Sequence, residues 1–113
     1  MTEKEQWDKV VSFFTTNFTD GETPDLDTML FLIGVQELGK GMQRFKKDDK
    51  VNLMHIAVCR LLEPYGYYRF EGRDADNWPH FELLQALPVL KANEQSLLMR
   101  KAIIQYFEDQ GII

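Results

Sequence analysis

The chain has 113 residues, which fits one domain over 1–113 and is long enough to bury a core without disulfide or metal staples. Hydrophobic residues make up 44% and charged residues 27%, which excludes a disordered chain. A formal charge of −5 repels phosphate backbones and argues against a nucleic-acid partner.

A helix is predicted from Thr2. Thr2 and Glu5 have the spacing of a capping box, and Trp7, Val10, Val11, Phe14 and Phe18 recur at steps of three and four. Asp20-Gly21-Glu22 ends it. A second helix is expected from Thr23-Pro24, with Thr as cap and Pro in the first helical position. Its segment Met29-Leu30-Phe31-Leu32-Ile33-Gly34-Val35 is apolar all round, the pattern of a helix packed on more than one side. Gly39 and Gly41 are its stop.

The third helix is predicted over Asp48 to Glu63. Val51, Met54, His55, Val58, Leu61 and Leu62 form its main face, and Leu53, Ile56 and Ala57 widen the apolar surface on the other side. Pro64 disfavours helical geometry at Glu63, and Gly66 follows as a turn residue.

Next comes a predicted β-hairpin. Tyr67-Tyr68-Arg69-Phe70 suits a strand, Gly72 to Asn77 a turn, and Trp78 to Leu83 a returning strand in which Pro79 asks for an edge. The competing reading is a short helix over Phe81 to Leu87, ended by Pro88. The last helix is expected from an Asn93 cap to about Asp109, with Leu98, Met99, Ala102, Ile103, Tyr106 and Phe107 as its apolar face and Gly111 as its end. The fold class is therefore mainly α: a compact bundle of four helices with a small β-hairpin inserted before the last helix.

One cysteine, Cys59, excludes an intramolecular disulfide and suits a reducing compartment. The polar start Met1 to Gln6 lacks the apolar run of a signal peptide, and no apolar run approaches the roughly 20 residues that span a bilayer. A soluble cytoplasmic protein with no membrane partner is the expectation.

Catalytic and cofactor motifs are not found. Gly39-Lys40-Gly41 has neither phosphate-loop spacing, and E-x-x-H is absent. The loop from Asp74 fails the calcium template, with Trp78, Pro79 and Gln85 at its fifth, sixth and twelfth positions. Cys59 follows His55 by four residues, so the two share a helix face and supply too few ligands for a closed zinc site. Glu37 falls on the face of Leu26, Leu30 and Ile33, where it is either half-buried with a raised pKa, as acid–base residues are, or reaches water near the helix end, or pairs with Arg60 or Lys50. No cofactor or metal is therefore assigned, although an alternative reading gathers His55, Glu37, Cys59 and His80 into a small metal- or ligand-dependent enzyme. Lys40, Arg44, Lys46, Lys47 and Lys50 form a basic turn that reads as solvated surface, or as a site for an acidic partner.

The densest feature is aromatic. Tyr65, Tyr67, Tyr68, Phe70, Trp78 and Phe81 fall within 17 residues, and a strand alternates faces, so they cannot all enter one core. Tyr67, Tyr68, Phe70, Trp78 and His80 are the candidate contact residues of a non-enzymatic protein–protein interaction module that binds a protein partner or itself, as a homodimer.

The stretch Asp49-Lys50-Val51-Asn52-Leu53-Met54-His55-Ile56-Ala57-Val58-Cys59-Arg60-Leu61-Leu62-Glu63-Pro64-Tyr65-Gly66-Tyr67-Tyr68, followed by Trp78-Pro79-His80, resembles a group of small uncharacterised bacterial proteins. The resemblance covers roughly the middle third of the chain. The group has no assigned activity, so it implies a bacterial cytosolic protein and transfers no functional residue.

Overall fold

Thr2 caps the first helix as its spacing to Glu5 predicts, its hydroxyl accepting from the Glu5 N–H at 3.1 Å. In the computed structural model, which describes residues 1–113, the elements are α1 (Glu3–Asn17), α2 (Leu26–Leu38), α3 (Lys47–Leu62), β1 (Tyr68–Arg73), β2 (Pro79–Leu83) and α4 (Ala92–Asp109). The chain is mainly α, with four helices and a two-stranded antiparallel hairpin before the last, as predicted. No helix is long and apolar enough to cross a membrane. The chain divides into two units, Met1–Leu26 with Leu90–Ile113, and Asp27–Val89.

The first unit pairs α1 with α4. Val10 and Phe14 of α1 are buried, as are Ala102, Ile103, Ile104, Tyr106 and Phe107 of α4. The centre is a phenylalanine cluster. Phe107 meets Phe13 edge-to-face at 5.2 Å and Phe14 in a tilted contact at 5.4 Å. Such contacts add to area burial because ring edges are positive and ring faces negative. Arg100 lies over the Trp7 ring at 4.6 Å, and Gln6 donates to Glu108. Phe18, predicted on the apolar stripe, is half exposed because α1 ends at Asn17. α4 begins earlier than the predicted Asn93 cap. Glu94 lies three residues after Lys91 and accepts from the Lys91 N–H at 3.1 Å, whereas Asn93 has only Ser96 at that spacing. At the other end Gly111, at φ +72°, lets the Ile112 N–H reach the Phe107 carbonyl at 2.9 Å.

In the second unit α2 starts at Leu26, later than the predicted Thr23-Pro24, and Pro24 is buried ahead of the helix instead of opening it. The all-apolar segment is packed widely, with Met29, Leu30, Ile33, Gly34 and Val35 buried. Gly34 is the closest approach. A Cβ there would lie 2.1 Å from the Leu53 carbonyl oxygen and 2.6 Å from its carbon, so α2 and α3 meet backbone against backbone. Beside this crossing Val35, Leu38, Leu53 and Ile56 form a core cluster against which Phe31, Phe45, Trp78 and Phe81 pack.

This contact corrects the predicted face of α3. Leu53, Ile56, Ala57, Cys59, Leu61 and Leu62 are buried, while Val51 and His55 are exposed. Steps of three and four run through both sets, and the small Ala57 and the Gly34 crossing favour the side that allows close approach. α3 stops at Leu62, and a 3₁₀ turn over Glu63–Tyr65 leads to Gly66 at φ +84°. The competing short helix after Phe81 does not form; Phe81 to Leu83 are strand.

Phe107 is 1% exposed and central to the first unit, so Phe107→Ala is expected to lower unfolding free energy by about 3–5 kcal/mol. Denaturant titration checks this. A loss under about 1 kcal/mol would mean the cluster collapses around the gap.

Candidate functional site

The hairpin register starts regularly, with Tyr68 opposite Leu83, Arg69 opposite Glu82 and Phe70 opposite Phe81. It then slips at Glu71, so that Gly72 faces His80 and Arg73 faces Pro79. Gly72 takes φ +132°, a backbone conformation that side chains resist. The extra residue re-aims the strand. Without it Arg73 would share the solvent face with Arg69. With it Arg73 joins Phe70 on the face turned to the helices.

There Arg73 donates to the Leu38 carbonyl at 3.0 Å and the Glu37 carbonyl at 2.8 Å, both at the C-terminal end of α2. These carbonyls lack helical partners and carry the negative end of the helix dipole. Arg73 also holds the Asn77 carbonyl at 2.9 Å, which ties the hairpin turn to the same point. Asp74 organises that turn. Its carboxylate accepts from the Asp76 N–H at 2.9 Å, the Trp78 N–H at 3.0 Å and His80 Nε2 at 2.8 Å. The His80 bond, then the backbone bonds, hold the Asp74 carboxyl below its usual range.

A cleft of about 370 Å³ opens beside this anchor, lined by Glu37, Arg60, Glu63, Phe70, Arg73, Pro79 and Phe81. Arg60 Nε lies 3.1 Å from Glu37 Oε1, so of the partners considered for Glu37 the structure shows Arg60. Glu63 stands 4.0 Å from the same guanidinium and also accepts the Phe70 N–H at 2.9 Å. Phe70 and Phe81 pack edge-to-face at 5.6 Å as the apolar wall. Two carboxylates balance two guanidiniums, and the lining has no hydroxyl, thiol or imidazole. The cleft thus offers guanidinium donors and carboxylate acceptors beside an apolar wall.

The predicted contact residues do not share one face. Tyr68 and Phe70 are on the helix-facing side, Tyr68 meeting the His55 ring edge-on at 6.3 Å. Phe70 is nevertheless 47% exposed at the cleft mouth. Tyr67 is half-buried and its carbonyl accepts from Leu84. Trp78 packs on the core cluster, and His80 is exposed beside Asp74.

The other grouping, His55, Glu37, Cys59 and His80, is not brought together. His55 and Cys59 touch, with Sγ 3.7 Å from Nε2, while Glu37 pairs with Arg60 and His80 with Asp74. No three His, Cys, Asp or Glu side chains are grouped as metal ligands. The basic residues Lys40, Arg44, Lys46, Lys47 and Lys50 are all exposed, and Lys40 reaches the Asp76 carbonyl at 2.6 Å.

Sequence reasoning missed Arg73 and Glu63, and it missed the apolar run after β2. Gly72 inside an aromatic strand was the available signal for the bulge. Leu83, Leu84, Leu87 and Val89 are exposed, and Pro88 among them signalled only that a helix would not form. No protein-family model matches the chain, and no curated protein or solved structure shows significant similarity to it.

Burial pushes the Cys59 thiol from 9.0 up to about 11. Below pH 9 the folded protein is therefore expected to resist alkylation, with labelling rising only as pH approaches about 11. The same shift favours the folded, protonated form, so its contribution to stability is present below pH 9.0 and disappears as pH climbs through about 11. Rapid labelling of native protein at pH 8 would show instead that the thiol is activated.

Proposed function

We propose that this chain is a non-enzymatic protein–protein interaction module, and that the hairpin with the segment after it is the contact surface. The observation that carries this reading is the run of apolar side chains left in solvent along one stretch of chain. Phe70 is 47% exposed, Leu83 55%, Leu84 49%, Leu87 41% and Val89 103%. Single exposed apolar residues are ordinary on a protein surface; a concentration of them marks a contact site.

The anchoring of the hairpin supports the same reading. Arg73 ties it to the end of α2, Asp74 ties its turn, and Gln85 donates to the Gly66 carbonyl at 3.2 Å just after β2. A surface held in this way loses little conformational freedom on binding. The cleft next to Phe70 offers an apolar wall and a balanced set of charges, which suits a mixed peptide side chain better than a strongly charged ligand. The proposed setting is the bacterial cytoplasm, on the resemblance of residues 49–68 and on a lone buried cysteine that asks for no oxidising compartment.

A photo-cross-linking amino acid placed at Phe70 is expected to give protein adducts of discrete mass in cells. The same probe at Lys101, on the exposed side of α4, is expected to give none. Equal labelling from both positions, or none from Phe70, would remove the hairpin as the contact surface.

A further inference from the structure

The hairpin leaves one of its two edges ready to pair. Its ladder defines which backbone groups point outward. The Leu84 N–H bonds the Tyr67 carbonyl at 2.9 Å, and the Asp74 N–H bonds the Trp78 carbonyl at 3.0 Å. Backbone groups alternate in and out along a strand. Counting from these two bonds, His80 and Glu82 direct their N–H and C=O groups into the hairpin. Pro79, Phe81 and Leu83 direct theirs away from it. On β1 the outward residues include Phe70, and its N–H is already taken by the Glu63 carboxylate at 2.9 Å. The middle of the β1 edge is thus occupied by a side chain. The sheet has only two strands; Pro79 is buried, but the outward N–H groups of Phe81 and Leu83 have no hydrogen-bond partner in the chain. Pro79 fits this edge at no cost, because its missing N–H would have pointed outward.

Resting on the reading of this chain as an interaction module, we infer that the partner at this edge is a second copy of the chain, and that two β2 strands pair antiparallel about a two-fold axis through Phe81. The sequence Pro79-His80-Phe81-Glu82-Leu83 is self-complementary in that register. Phe81 faces the partner's Phe81, and the two exchange both backbone bonds. Leu83 faces the partner's Pro79, whose carbonyl accepts the Leu83 N–H. On the solvent face His80 stands opposite the partner's Glu82, and Glu82 opposite the partner's His80. His80 is held by Asp74 and Glu82 by Arg69 within each chain, so this register sets a ring N–H donor beside a carboxylate acceptor. Centring the axis on Glu82 would set two carboxylates against each other, and centring it on His80 would set ring against ring with no carboxylate opposite. The Phe81 register also uses all five residues of the strand. The product is a four-stranded antiparallel sheet with a contact that is the same patch on both copies. It also brings the exposed Leu83 side chains of both copies to the new sheet.

Amide hydrogen exchange on the whole chain, followed residue by residue at low micromolar and at millimolar concentration, tests this beside sedimentation equilibrium. The expected result is a dimer in which the Phe81 and Leu83 amides gain at least tenfold protection with concentration, while the Glu82 amide, bonded inside the hairpin, is protected at both. Leu83→Pro removes an outward N–H and no bond of the hairpin's own ladder, so it is expected to weaken the dimer by about tenfold or more. Retained protection at Glu82 shows that this variant is folded; should it unfold, the exchange pattern of the unaltered chain decides alone. A dimer whose Phe81 and Leu83 amides do not change would overturn edge pairing and leave the interaction reading standing. A monomer at millimolar concentration would overturn the inference as well, and the cross-linking at Phe70 would then decide separately whether another protein is bound.

Discussion

The hairpin unit depends on two helices touching without a side chain between them. Gly34 of α2 sits against the backbone of Leu53 in α3, where a Cβ would lie 2.1 Å from a carbonyl oxygen. A carbonyl belonging to a helix cannot move aside as the tip of a flexible side chain can. The close crossing brings Val35 and Leu38 onto Leu53 and Ile56 and lets four aromatics cover them. Two of those aromatics, Trp78 and Phe81, belong to the hairpin region. The position of the candidate site therefore follows from one glycine, through the packing it permits.

The second determinant is polar. A two-stranded hairpin alone is marginal in water and needs something to pack on and something to hold it. Apolar packing comes from the core cluster. The polar tie comes from Arg73, which meets carbonyls that the end of α2 leaves without partners. The bulge at Glu71 makes that meeting possible by turning Arg73 to the helix side. Glu63 then occupies the outward N–H of Phe70, so the residue that takes up this edge amide also lines the cleft. The arrangement leaves Phe70 partly in solvent and the outward Phe81 and Leu83 amides without a partner in the chain.

Much of the architecture is legible in the residue pattern because it is local. The Thr2 cap, the stop at Gly39, the end of α3 before Pro64 and the end of α4 at Gly111 all follow from backbone chemistry within a few residues. What the pattern does not carry is which of two overlapping apolar stripes α3 turns inward. That choice depends on Gly34, which is distant in sequence. The site was legible only in outline. Aromatic density around residues 65–81 marks the hairpin, but the division of Tyr68, Phe70, Trp78 and His80 between faces depends on a bulge and a register. Arg73 reads as an ordinary strand residue until the end of α2 is placed beside it. His55 and Cys59 do share a face as their spacing implies, and burial raises the thiol instead of activating it.

Gly34→Ala tests the central claim most directly, because two effects oppose each other there. Alanine is the better helix former by about 1 kcal/mol, so a helix with room at this position would gain stability. If the backbone contact governs the packing, the variant instead loses about 1–3 kcal/mol in denaturant titration, and the amide signals of Leu53, Trp78 and Phe81 move. A variant as stable as the original chain, with those three signals in place, would contradict the account.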